Sequence, residues 1–183
     1  NMSNRYLLGN QETTNMQAGE AVWSFDGGDY ILATDDPDLD FGTGDFSIVA
    51  RFRTGSDITT NQRILSKESA TEGYYMAIIS GSVNSVIRQG SEYASSGTIT
   101  ANTNYTVVGT FDRDGNVLTY VNGVLTGTGD ISSGSGTINS VQDLYLGRKS
   151  NSSANFFTGE ISHVSLFNRA LSAAEVLNLS APT

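Results

Sequence analysis

Residues 156–179 read FFTGEISHVSLFNRALSAAEVLNL, and the rest of the chain can be understood from them outward. Phe157, Ile161, Val164 and Leu166 supply the inward face of a half-buried strand, with Ser162 and Ser165 among the neighbours on its other face. The strand gives way at Asn168-Arg169-Ala170-Leu171. Ser172-Ala173-Ala174-Glu175 then spells a capping box, in which the Ser172 hydroxyl accepts a free helix N–H and Glu175 reaches back to the cap. Val176, Leu177 and Leu179 give this short helix something to bury. A long strand ended by one capped helical turn closes an otherwise all-β chain.

Upstream, the pattern is one of short alternating runs cut by turn residues. Trp23 and Phe25 face one way and Ser24 and Asp26 the other; Gly27-Gly28 then reads as a tight turn into a second strand at Asp29–Leu32. In FSIVARFRT, Phe46, Ile48, Ala50 and Phe52 alternate with Ser47, Val49, Arg51 and Arg53, the signature of a core strand. Further strands are expected over 63–67, 74–79, 83–88, 104–111, 117–121 and 143–148, with 91–100 read as strand mixed with turn. Asn122-Gly123 is the strongest short-range hairpin signal, because both central residues of a type I′ turn need positive φ. The Gly/Ser-rich stretch 127–140 reads as a loop. Strands at such spacing with one helix predict an antiparallel β-sandwich or jelly roll. Residues 1–20 are polar and aperiodic and read as a loosely ordered arm or assembly contact, with Tyr6, Leu7 and Leu8 as a candidate short strand. Residues 21–183 form the sandwich.

The 183 residues suffice for one domain with its own core, and no cysteine is present for disulfides or thiolate metal sites. Nineteen acidic against ten basic residues give a net charge of −9, which argues against nucleic acid and anionic membranes as partners. Twenty glycines against two prolines suit many tight turns. No apolar run approaches the ~20 residues of a membrane span, so no membrane insertion is expected. No signal peptide is visible, but Asn1 reads as a mature boundary, so that decides nothing.

A set of fragments in order adds to this reading: Phe25-Asp26-Gly27-x-Asp29-Tyr30-Ile31, Gly44-Asp45-Phe46-Ser47-Ile48, Ile64-Leu65-Ser66-Lys67 and Gly73-Tyr74. Thr110-Phe111-Asp112-x-x-Gly115, Tyr120-Val121-Asn122-Gly123, Leu144-Tyr145-Leu146-Gly147-Arg148, Phe157-x-Gly159-x-Ile161 and Asn168–Ser172 continue it. Together they resemble the laminin-G-like branch of the concanavalin A-like lectin/glucanase superfamily over about residues 21–179. The resemblance implies a concanavalin A-like jelly roll of two curved antiparallel sheets with adjacent terminal strands. It also implies that calcium-binding relatives use a carboxylate on the final strand, where this chain has Ser162. Tyr105 stands where relatives often carry Trp.

Retaining glucanases of that superfamily need two carboxylates about 5–5.5 Å apart. Glu160 has Ser162 where the second should be, so no catalytic residue is assigned and the chain reads as a non-enzyme. His163, the only histidine, lacks a nucleophile or a second histidine beside it. Asp26, Asp29, Asp35, Asp36 and Asp38 crowd the loops around Gly27-Gly28; if these hold Ca2+, Asp26 and then Asp29 are the expected ligands, although turns favour Asp in any case. For sugar, Trp23 falls on the inward period, and Tyr74, Tyr75 and Tyr93, nearer turns, are the expected ligand-binding aromatics. The expected function is lectin-like recognition of a glycan, calcium-assisted if the ion is bound, on an extracellular or surface-exposed protein, including a virion surface. The alternative is a structural domain of a fibre, capsid decoration or adhesin that contacts another protein surface, as a homo-oligomer for example.

Overall fold

A computed structural model of the chain describes residues 5–8, in backbone only, and 22–181. Among the described residues it forms thirteen strands and one α-helix, α1 (Ala173–Ser180). One sheet has the order β1 (Arg5–Leu8), β13 (Thr158–Phe167), β4 (Phe46–Thr54), β9 (Asn104–Phe111), β10 (Asn116–Val121), β11 (Val124–Asp130), with β2 (Trp23–Asp26) also paired to β13. The other runs β3 (Ile31–Ala33), β12 (Leu144–Leu146), β5 (Gln62–Glu68), β6 (Glu72–Ile79), β7 (Ser82–Gln89), β8 (Ser91–Thr98). Every pairing is antiparallel. The fold is therefore the all-β antiparallel sandwich with one short C-terminal helix that the residue pattern predicts. Of the arm expected over 1–20, Arg5–Leu8 pairs with β13; the remainder lies outside the described residues.

Alternation builds the core between the sheets. Phe46, Ile48, Ala50 and Phe52 of β4 face Ile64, Tyr74, Met76, Ile78 and Ile87 of the opposite sheet in one buried cluster. Phe46 stacks between Phe41 and Phe111, with ring centroids 4.6 and 4.2 Å away. Burying such a ring contributes roughly 1.5–3 kcal/mol. In β13, Ile161 and Val164 are three residues apart yet both fully buried. The register explains it: Ile161 opposes Phe52 and His163 opposes Arg51, so Ser162 is the extra residue of a β-bulge.

Two sequence expectations change. Gly27-Gly28 does not close a hairpin, because β2 pairs with β13 and β3 with β12; the turn carries the chain from one sheet to the other. Residues 127–130, read as loop, continue β11. The Asn122-Gly123 turn is as expected, with φ of 50° and 80°.

Candidate functional site

The outer face of the seven-stranded sheet changes character along its length, and the sequence dictates where. Val49, Arg51 and Arg53 lie on one side of β4, opposite Val108, Thr106 and Asn104 of β9 and Ser165, His163 and Glu160 of β13. The apolar end is covered: Val49, Val108 and Tyr120 pack with Leu171 and Val176, fastening α1 across the sheet. The capping box forms as expected, the Ser172 amide donating to Glu175 at 2.9 Å and the Glu175 amide to the Ser172 hydroxyl at 3.4 Å. Leu177, expected to be buried, is 61% exposed; Val176 and Leu179 carry the contact instead. Among the described residues, none covers the polar end beyond α1.

There a groove of about 720 Å³ is lined by Arg51, Arg53, Asn104, Thr106, Glu160 and Ser162, with Asn122 and the end of α1 at its rim. Arg51 donates to the Leu179 carbonyl at 2.8 Å, placing a cation at the helix C-terminus. Asn122 Oδ1 accepts the Thr106 amide at 2.9 Å, leaving its NH2 to bond elsewhere. Glu160 and Arg53 sit opposite each other in the register, yet among the described residues neither forms an ion pair. The lining thus sets donors and acceptors among the apolar surfaces of Val22, Phe52 and Tyr105, a mixture typical of small-ligand sites. Among the described residues, Glu160 is the single carboxylate in its lining.

The aromatics expected to bind ligand, Tyr74, Tyr75 and Tyr93, lie elsewhere. Tyr74 is 1% exposed, packed on Phe41 and Phe46, and donates its hydroxyl to the Leu39 carbonyl at 2.9 Å. Burial, followed by the nearby charges of Asp40 and Asp35, pushes its phenol well above the ordinary value. Tyr75 points out of the six-stranded sheet but is also 1% exposed: Arg63 lies 3.7 Å over its ring and its hydroxyl donates to Glu92 at 2.7 Å. Tyr93 is half-buried against the core. Neither Tyr74 nor Tyr75 offers a face to a ligand, and the structure brings none of the three to the groove.

Asp26 and Asp29 are both exposed. Asp26 accepts the Gly28 amide at 2.9 Å and Asp29 the Asp26 amide at 3.4 Å, which is turn chemistry. Calcium takes six to eight oxygens; these two carboxylates each accept an amide of their own turn, and among the described residues no group of three acidic or histidine side chains gathers around them. Other acidic residues of these loops serve an internal cation. Lys67, fully buried at the end of β5, places its ammonium 2.6 Å from Asp35 and 3.2 Å from Asp40, against the carbonyls of Ser140 and Gln142. Two carboxylates and two carbonyls are hard oxygens of the kind calcium prefers, gathered around an amine.

The architecture and the polar groove on a sheet face define a β-sandwich of the lectin type. The chain belongs to the concanavalin A-like lectin/glucanases superfamily, whose laminin-G-type family matches residues 25–177. No curated protein matches it in sequence. Among solved structures, one of botulinum neurotoxin type C superposes with a TM-score of 0.70 at 16% identity, over 97% of this chain and 46% of that one. The binding domain of botulinum neurotoxin DC with rat synaptotagmin II gives 0.69 at 17%, over 97% and 46%. The binding domain of Paraclostridial Mosquitocidal Protein 1 gives 0.68 at 14%, over 88% and 47%. The chain therefore spans about half the length of the structures it matches, and the likeness is one of fold.

Proposed function

We propose that the chain is a non-catalytic, lectin-like recognition module that binds carbohydrate in the groove over Arg53 and Glu160, as part of an extracellular or surface-exposed protein. The observation that carries this reading is the groove floor: opposite charges lie side by side on paired strands without engaging each other, among Asn, Thr and Ser groups that can bond sugar hydroxyls. A lone carboxylate supports recognition over glycoside hydrolysis, which takes two. The related folds support the same class. One structure ties the passage of botulinum neurotoxin type C into cells to interaction with two ganglioside molecules, and another shows a neurotoxin binding domain with synaptotagmin, a protein.

The test is a glycan array probed with and without EDTA, repeated with Arg53→Ala and Glu160→Gln. Glycan binding that survives chelation and is lost in both variants is the expected result. Loss on chelation would make calcium part of the site. An array without hits, together with a defined oligomer in solution, would favour the structural role; reducing sugar released by the parent and not by Glu160→Gln would show an enzyme.

A further inference from the structure

A second surface, at the far edge of the other sheet, gathers aromatic rings and a cation. Tyr30 follows the Gly27-Gly28 crossover and is 48% exposed; Leu32 of β3, 42% exposed, is the register partner of Tyr145 in β12. The Tyr30 and Tyr145 rings lie 5.5 Å apart at 58°. Arg148 covers both, its guanidinium carbon 4.7 Å from the Tyr30 centroid and 4.3 Å from that of Tyr145. The return of the chain between Tyr145 and Arg148 depends on Gly147, at φ +85°, where a Cβ would lie 2.5 Å from the Phe25 ring. Tyr145 is held on both sides, by Leu32 and by Ser66 of β5, so the patch is mounted on paired strands.

Among the described residues, Arg148 makes one hydrogen bond, from its Nε to the Lys149 carbonyl at 3.2 Å. Among the described residues no carboxylate lies within ion-pair distance of Arg148 or of Lys149. This leaves the planar Nη1/Nη2 fork, which matches a carboxylate in bidentate geometry, beside an exposed aromatic ring of the sort that stacks on the C–H face of a pyranose. We propose that Tyr30, Tyr145 and Arg148 form a binding site for an acidic sugar residue, a sialic or uronic acid, with its carboxylate on Arg148 and its ring against Tyr30. This site is separate from the groove and stands whether or not the groove binds a ligand.

Titration with sialyllactose and an oligogalacturonate, each beside a neutral counterpart, tests it, followed through the tyrosine ring resonances by NMR and by calorimetry. At least one acidic ligand is expected to shift the Tyr30 and Tyr145 rings, while the neutral sugars bind at least tenfold more weakly. Arg148→Ala and Tyr30→Ala are each expected to weaken binding about tenfold or more, the scale of a lost charge-assisted bond. Arg148→Lys, which keeps the charge and the fold but loses the planar fork, is expected to recover only part of it. Equal binding of neutral sugars, unmoved tyrosine resonances, or affinity lost in Arg53→Ala and kept in Arg148→Ala would each overturn the assignment.

Discussion

Lys67 and Arg53 are both cations projecting from central strands, and they differ in every respect that matters. Lys67 is buried, with two carboxylates and two carbonyls around its ammonium. Arg53 is half-buried on an outer face, with a carboxylate-bearing neighbour it does not engage. Buried Glu68 makes the same contrast on the six-stranded sheet, where Arg63 and Arg88 contact it at 2.8 and 3.2 Å and close that outer face. Charge is locked into the frame at Lys67 and Glu68 and left open at Arg53. A buried charge that loses its partners is strongly destabilising, while an exposed one without partners costs the fold little. The proposed ligand site rests on the openness of Arg53 beside an unengaged Glu160 on paired strands.

The sharpest way to break that comparison is Lys67→Met. It leaves Asp35 and Asp40 converging on an empty space, and a loss of about 3 kcal/mol is expected, allowing for their partial exposure. At about 2–4 °C per kcal/mol for a domain this size, thermal unfolding should fall by roughly 10 °C. Added calcium is expected to restore part of that loss in the variant, since it suits the same oxygens, and to leave the parent's melting temperature unmoved. A variant as stable as the parent would show that the ammonium is not structural.

Arg53→Ala sharpens the other half. Its stability should stay within about 0.5 kcal/mol of the parent's, as for surface positions generally. Its affinity for an array-identified glycan should drop about tenfold. Stability lost with affinity unchanged would assign Arg53 to the frame. Ser172→Ala comes next: it removes the helix N-cap and should cost about 1 kcal/mol, some 2–4 °C of melting temperature, by loosening the α1 that bounds the groove.

The strands and the helix were legible because they rest on local chemistry: alternation in FSIVARFRT, the Asn122-Gly123 turn, the Ser172–Glu175 box. Partner choice was not. Gly27-Gly28 carries the same local signal for a hairpin as for a crossing between sheets. Gly127 and Gly129 read as loop, yet they sit in β11 because its edge approaches β8 so closely that a Cβ would lie 2.2 Å from the Ser96 carbonyl oxygen and 2.1 Å from that of Ala94. Tyr74 and Tyr75 read alike as aromatics near turns; only the three-dimensional placement of the core around Tyr74 and of Arg63 over Tyr75 shows that both faces are taken. The groove residues were visible as the polar side of two strands, Arg51 and Arg53 on one and Glu160 on another. Their meeting depends on register, including the Ser162 bulge that alternation alone does not locate. Tyr30, Tyr145 and Arg148 are equally dispersed along the chain, in two fragments, Phe25–Ile31 and Leu144–Arg148, that carry the family resemblance and give no sign of their meeting.

The smallest expected effect concerns the anchor of α1 and separates a solvent-screened ion pair from the buried kind. Contact with the Arg169 guanidinium, then hydrogen bonds from the Ser172 amide and hydroxyl, hold the Glu175 carboxyl down to about 2 from an ordinary 4.5. A carboxyl depressed in the folded state adds stability that is complete above its unfolded value and disappears as pH falls through the folded one. The melting-temperature difference between the parent and Glu175→Gln should therefore be full at neutral pH and shrink between about pH 4.5 and about pH 2. Both side chains are substantially exposed, 53% and 40%, so water weakens the pair and the difference should also contract in high salt. The Lys67 effect, set in a buried cage, should resist the same salt. If both differences respond alike to salt, burial does not distinguish the two kinds of charge in this fold, and the openness of Arg53 loses its meaning.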